Sequence, residues 1–445
     1  MRSSKSWHIL IKCVAFALIL ALACAALDAF FASDPTTAWN KLSRCLKSSR
    51  QNAMILGNSI VIRMVPEYMD EKSGVKSYQI GSPSQSLRAS YAILHEAVAR
   101  GKAPDTVLLY VHMRRLGGDA CNAVDYRTLR DIPWSRSKLE LVLDCFSMEE
   151  MPSLLLPWVD LRGTLPEKLL TLLPGAGAEA VTTDMIEADA EFLAGYKGKG
   201  FQSVDTASQD PHGVVVGQAD TFHADQVAPE ALDMLGKIAR LCSRNGIDLV
   251  LFTLPILPGN LIATGGEGYH GFHTYMEDVA ADLGVPFWDL TYVRPEQAEI
   301  DSAMFRDSRH GNAAFALRMS DVLGRMLGDY ARGKLQLDEY LFSDYDTYLA
   351  LHPGVQGLMP GDLQLTAGGT ATVHVASALG AGTQLELRVS IDSGSGFTLL
   401  RDWSGDPTVA LPSDLPSGNV RLKFEGRSRG AKPVEQTIVK TYLLP

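Results

Sequence analysis

Six cysteines among 445 residues are too few to staple a chain of this length, so its fold must rest on an apolar core. Basic residues are in the minority: 41 Lys+Arg against 51 Asp+Glu leave a formal net charge of −10. That makes a poor nucleic-acid binder, because phosphate neutralisation needs clustered Lys and Arg. Disorder is excluded too, since 46% hydrophobic against 21% charged residues is ordinary globular usage. No internal repeat and no low-complexity tract is present. After the N-terminal apolar stretch no run of similar length recurs, so the chain crosses a membrane once at most. The length exceeds one average domain and implies two or three.

The N-terminus differs from the rest. Arg2, Lys5 and Lys12 precede an apolar run from Cys13 to Leu27, which Asp28 interrupts before Phe30 and Phe31. The uninterrupted part is about 15 residues, in the signal-peptide range and short of the ~20 needed for a span. Counting Ile9 to Ile11 and the residues up to Phe31 makes it long enough, if Lys12 snorkels and Asp28 sits at the interface. The leading expectation is a signal anchor and transmembrane helix over residues 1–33. It would be single-pass in the inner (cytoplasmic) membrane, with the basic side inside and the remainder periplasmic. The alternatives are cleavage at Ala21-Leu22-Ala23, giving a secreted protein, and a buried helix. Export permits disulfides. Cys121 and Cys145 are the nearest candidates in sequence, but four downstream cysteines allow three pairings.

A polar connector from Ala32 to about Asn52 leads to an apolar strand, Ala53 to Gly57. Leu87, Tyr91, Leu94 and Val98 share a helical face, and Val107 to Val111 is apolar throughout, as buried parallel strands are. The alternation resumes with a helix through Leu232, Leu235, Ile238 and Leu241, a strand from Asp248 to Leu254, and a helix through Tyr275, Val279 and Leu283. A short strand, Val285 to Leu290, and a helix through Phe315, Met319, Val322, Met326 and Tyr330 complete it. Strands alternating with helices predict an α/β domain over 34–345, a parallel sheet with flanking helices. The irregular stretch at about 114–229 is too long for a plain loop. It reads as an insertion of short helices that shapes the site, or equally as packing elaboration. From residue 353 to 445, short alternating runs separated by Ala367-Gly368-Gly369 and Pro416-Ser417-Gly418 predict a β-sandwich.

Three short signals carry chemistry. Ser59, in Gly57-Asn58-Ser59, sits at the carboxyl end of the first strand, where α/β folds place ligands. Asp307 stands three residues ahead of His310, a spacing in which a carboxylate can orient an imidazole that serves as base to a serine. Gly81 follows Tyr78-Gln79-Ile80, where its N–H, with that of Ser59, can face an oxyanion. Each alone is weak: a turn glycine, a capping Asp and a surface His are commoner. His270 and His273 stand at i, i+3, but no third ligand in a recognised pattern accompanies them, so no metal and no cofactor is expected. Arg306 and Arg309 could hold an anionic polymer, and Trp403 and Tyr442 could stack on sugars, though solvation and packing are the commoner fates.

In this order the three signals resemble the SGNH (GDSL-like) hydrolase superfamily over about residues 52 to 330. Gly57-Asn58-Ser59 is similar to its first block, with Asn58 where Asp is commonest, Gly81 to its second-block glycine, and Asp307 with His310 to its last block. The N-terminal anchor, the long insertion and Asp-x-x-His-x-Asn resemble the DltD-like and alginate O-acetyltransferase-like branch. The resemblance implies an SGNH-like, flavodoxin-like sheet and a Ser59–His310–Asp307 triad with an oxyanion hole from Ser59 and Gly81. It further implies acyl transfer to, or removal from, cell-envelope polysaccharide, beside a membrane-bound O-acyltransferase. The terminal β-domain is similar in placement to carbohydrate-binding modules. One feature departs: the third block's Gly-x-Asn is missing after Val111, where His112-Met113-Arg114 stands, leaving His112 or Arg114 as replacement donors or no third donor. A weakened or inactive SGNH-like scaffold that binds glycan is therefore the alternative.

Overall fold

The computed structural model describes residues 3–30, 38–48, 51–118, 121–151, 154, 196–199, 201–202, 222–257, 261, 269–300, 304–305, 309–365, 370–415 and 417–444. Five parallel strands form the central sheet: β1 (Ala53–Leu56), β2 (Ser77–Gln79), β3 (Thr106–Tyr110), β6 (Asp248–Thr253) and β7 (Phe287–Asp289). A small hairpin, β4 (Tyr196–Gly198) and β5 (Phe201–Gln202), lies between them in sequence and outside them in the sheet. The spatial order is β2-β1-β3-β6-β7, with Ala53 level with Ser77 on one side and Thr106 on the other. Leaving out the hairpin, this is the 2-1-3-4-5 order of flavodoxin-like sheets. Its direction reverses at β1, so a crevice opens beyond the carboxyl ends of β1 and β3.

Successive strand residues feed opposite cores, as a two-residue period requires. Met54, Leu56, Val107 and Leu109 face one layer, together with the helices Leu87–Ala99, Pro229–Arg244 and Gly271–Leu283. Ala53, Ile55, Leu108 and Tyr110 face the other, with helices Pro66–Ser73 and Ala313–Ala331. The strands are apolar throughout because both faces are covered. Local chemistry sets the helix ends. Ser86 accepts from Ala89 N, Asn312 accepts from Ala314 N and Phe315 N, and Pro66 and Pro229 open their helices at the first turn, where a missing N–H costs nothing.

Two antiparallel sheets follow. The first holds β8 (Val355–Pro360), β9 (Gln364–Leu365), β10 (Ala371–Leu379) and β13 (Thr408–Ala410); the second is β12 (Thr398–Ser404), β11 (Leu385–Asp392), β14 (Gly418–Ser428), β15 (Gln436–Leu444). Val373 and Val375 from one and Leu387, Val389, Leu422 and Phe424 from the other share a core, which makes this a β-sandwich. Trp403 lies under the guanidinium groups of Arg388 and Arg427, at 4.9 and 3.9 Å from its ring, and Tyr442 is buried with its hydroxyl donating to the Gly361 carbonyl at 3.0 Å. Both rings are engaged in packing.

Three expectations need correction. The connector at 32–52 contains a strongly amphipathic helix, Ala38–Lys47, whose Ala38, Trp39, Lys41, Leu42 and Cys45 are buried. Its high polar content hid the apolar stripe. The described parts of the insertion include helices Met113–Leu116, Ala123–Asp131 and Arg136–Cys145, but also the β4–β5 hairpin. Cys121 and Cys145 are free thiols, as are Cys13, Cys45 and Cys242. Cys121 Sγ lies 3.9 Å from Ser86 Oγ, while Cys145 Sγ donates to Asp144 Oδ2 at 3.6 Å. Burial pushes the Cys45, Cys145 and Cys242 thiols up to about 12, which leaves them protonated and unreactive.

Ser3–Phe30 is a 28-residue helix, and every side chain described on it, Trp7, Ile11 and Leu22 among them, is exposed. Among the described residues no helix is long and apolar enough to cross a membrane.

Candidate active site

Ser59 begins where β1 ends, at the crevice of the sheet. The turn that carries it is built by its neighbours. Gly57 has φ +152°, and a Cβ there would stand 2.6 Å from Tyr110 Cβ on β3. Only glycine takes that conformation in that space. Asn58 Oδ1 then accepts from Ile60 N at 3.1 Å and the Asn58 carbonyl from Val61 N at 3.0 Å, an Asx-type turn that starts the short 3-10 helix Val61–Arg63.

His310 arrives from the far end of the domain. Its Nε2 lies 2.8 Å from Ser59 Oγ, across 251 residues of sequence, and both residues are half-buried. Three ties fix this approach. Arg63, buried, donates through Nη1 to the carbonyl of Gly311. Ser320 Oγ on the long helix accepts from Val65 N at 2.8 Å. Gly324 and Gly328 let that helix close on Pro66–Ser73: a Cβ would come within 3.0 Å of Met69 Cα at the first and 2.9 Å of Ser73 Cα at the second. The loop before His310 is pinched by a bridge between Phe305 and Gly311 and by Asn312 N donating to the Met304 carbonyl at 2.8 Å. Asp307 and Arg306 lie outside the described residues.

Gly81 lies beside this turn. Ile80 N donates to the Ile55 carbonyl at 2.9 Å and Ser82 N to the Gly57 carbonyl at 3.2 Å, so any side chain at Gly81 would overlap the Gly57 carbonyl oxygen. The loop beyond it is rigidly hydrogen-bonded: Ser82 Oγ to Gln85 Oε1 at 3.1 Å, and Gln85 Nε2 to Ser90 Oγ at 2.9 Å. Ser84, at φ +54°, has its carbonyl held by Arg115 and Asn122.

Just beyond β3, His112 caps helix Met113–Leu116. Its Nδ1 accepts from Arg114 N at 3.3 Å, so in the neutral ring the proton sits on Nε2. The Leu56–Leu109 register brings His112 to the β1–β3 crevice, with its ring stacked on Tyr110.

Among the described residues no group of three His, Cys, Asp or Glu stands where it could hold a metal ion. His273 instead forms a buried pair with Asp289, Nδ1 to Oδ2 2.8 Å, at the carboxyl end of β7. Asp289 also accepts from Thr253, from Tyr269 OH at 2.8 Å and from Thr291 N at 3.0 Å. Burial disfavours charge on both partners, yet these hydrogen bonds hold the Asp289 carboxyl below its usual value. The Asp289 carboxylate, with Glu277 nearby, likewise raises His273 above its own. The two residues stand 16 apart in sequence, on a helix and on the next strand, and no motif announces them. Arg63 was equally silent, since a buried arginine cannot be told from an exposed one without its contacts.

A cavity of about 250 Å³ opens beyond β6, with Pro255, Thr291, Glu299, Tyr348 and His352 in its wall; neither Ser59 nor His310 lines it.

No known protein-family profile matches the chain, and no curated protein matches it. Solved structures do. The chain is similar to a proposed acylhydrolase from Bacteroides fragilis at 10% identity, covering 67% of this chain and 99% of that one, with a TM-score of 0.33. It is similar to a proposed lipolytic protein of the G-D-S-L family from Desulfitobacterium hafniense at 10% identity, covering 64% and 99%, with a TM-score of 0.28. A catalytic mutant of an acetylxylan esterase from Geobacillus stearothermophilus aligns at 12% identity over 63% and 95%, with a TM-score of 0.30.

Proposed function

We propose that this protein is a serine-dependent acyl-transferring enzyme of the SGNH type. The observation that carries the reading is the 2.8 Å approach of Ser59 Oγ to His310 Nε2 at the carboxyl end of β1. His310 takes the hydroxyl proton as Ser59 attacks an ester carbonyl. The N–H groups of Ser59 and Gly81, with His112 Nε2–H as third donor, stabilise the oxyanion. The alcohol leaves with the proton from His310, and the acyl-serine passes its acyl group to a second hydroxyl or to water. Asp307 is the partner proposed for His310 Nδ1. No step needs a metal or an organic cofactor.

The finer proposal is a periplasmic enzyme held at the inner membrane by the Ser3–Phe30 helix. It would act on O-acyl groups of an envelope polysaccharide and receive them from a membrane-bound O-acyltransferase. The exposed apolar side chains of that helix, such as Trp7, Ile11 and Leu22, motivate the anchor, and the β-sandwich is a candidate glycan contact.

The full-length protein in detergent should hydrolyse p-nitrophenyl acetate and take up one serine-directed phosphonate per chain. Ser59→Ala should lose both while keeping its thermal midpoint. Labelling and turnover undiminished in Ser59→Ala would overturn the assignment, and a wild type inert in both would favour the non-catalytic glycan-binding scaffold.

A further inference from the structure

Helix Ala38–Lys47 buries a cation. Lys41 is 0% exposed; its Nζ donates to the Gly81 carbonyl oxygen at 2.7 Å and to Gln79 Oε1 at 3.3 Å. Its companions on the buried face are Ala38, Trp39, Leu42 and Cys45. Packing alone would favour another apolar residue there, because taking an ammonium out of water is costly. A lysine in that place points to a use for the charge itself.

Both acceptors belong to the segment that carries the proposed oxyanion donor. Gln79 ends β2, and its side-chain amide is among the atoms crowding Gly81. The Gly81 carbonyl belongs to the peptide whose N–H, on Ser82, donates to the Gly57 carbonyl at 3.2 Å. Lys41 Nζ, the 81–82 peptide and the Gly57 carbonyl thus form one hydrogen-bonded chain, in which each bond polarises the next. The chain ends two residues before Ser59.

We propose that Lys41 is a positioning residue for acyl transfer. Its buried ammonium fixes the Gly81 loop against the serine turn and sets a positive charge behind the crevice where the oxyanion develops. In a low-dielectric interior such a charge acts more strongly than it would in water. The inference rests on the acyl-transfer reading of Ser59.

The test uses the full-length protein with Lys41→Met, which fills the stem volume without charge, and Lys41→Ala, which leaves room for a small amine. In both, kcat for p-nitrophenyl acetate should fall roughly 10- to 100-fold with KM almost unchanged. Amide hydrogen exchange across residues 79–83 should quicken. Propylammonium should restore Lys41→Ala several-fold, and 1-propanol, similar in size and uncharged, should not. If Lys41→Ala fails to fold, kcat and exchange in Lys41→Met decide. Wild-type kcat and exchange in Lys41→Met, or equal rescue by propanol, would overturn the proposal. A wild type that turns over no ester would sink the acyl-transfer reading instead. Exchange at 79–83 would then still decide whether Lys41 holds the loop, and unchanged exchange would overturn that as well.

Discussion

Arg63 donates through Nη1 to the carbonyl oxygen of Gly311, the residue that follows His310. One hydrogen bond thereby joins the turn carrying the serine to the loop carrying the histidine. In Arg63→Met that carbonyl loses a buried partner, at a cost of about 1–3 kcal/mol. The histidine also gains freedom, and a misplacement near 1 Å costs roughly 10²-fold in rate. Ester turnover should fall by about that factor while KM stays close to wild type. Steady-state kinetics beside a urea melt separate the two effects.

The two glycines on the long helix predict a result opposite to helix propensity. Gly→Ala in a helix interior gains up to ~1 kcal/mol in propensity. At Gly328 the new Cβ would stand 2.9 Å from Ser73 Cα, main-chain atoms that cannot step aside. Overpacking of this kind costs typically 1–3 kcal/mol, so the clash wins. Gly328→Ala should lower the urea midpoint and weaken phosphonate labelling of Ser59, whereas Arg318→Ala, at an exposed position of the same helix, should leave labelling intact.

The proposed donor role of His112 can be tested by exchange for a shorter amide. Removing an oxyanion donor costs ~10²–10³ in kcat. His112→Ala should show that loss, and His112→Asn should recover part of it, because an amide N–H can reach the same crevice. Equal activity of both variants and wild type would show that His112 only caps its short helix.

The His273–Asp289 pair makes a pH-dependent contribution to stability. His273 is raised above 6.5 in the folded chain, so its share is fully present below that value and fades as pH rises through the raised one. Asp289 is lowered below 3.8, so its share is present above that value and is lost as pH falls through the lowered one. The pair therefore contributes most between about pH 4 and 6.5. Removing one partner from a buried pair costs ~3–5 kcal/mol. Asp289→Asn should show its largest deficit in urea midpoint in that window and a smaller one at pH 8.

The sheet was legible because β1, β3 and β6 are covered on both faces and so read as unbroken apolar runs. Ser59, Gly81 and His310 were legible as short motifs at strand and loop ends. Helix Ala38–Lys47 was not, because Lys41, Arg44 and Lys47 gave it the look of a solvated linker, and nothing local reveals that Lys41 points inward. Helix Pro66–Ser73 and strand β2 are short, and their burial comes from the helix Ala313–Ala331 and from β1, both remote or unrelated in local pattern. Arg63 acquires its role only through a partner 248 residues along the chain, and the His273–Asp289 pair only through the packing of a helix on the neighbouring strand.

The separation of 251 positions between Ser59 and His310 also sets an order of events during synthesis. At ~5–20 residues per second, the histidine is made roughly 10–50 s after the serine. Throughout that interval the proposed nucleophile lacks its proposed base. The Ser59–His310 pairing also waits for the long helix to dock through Gly324 and Gly328. On the proposed mechanism, a serine that gains its base only at completion leaves a half-made chain unable to acylate itself.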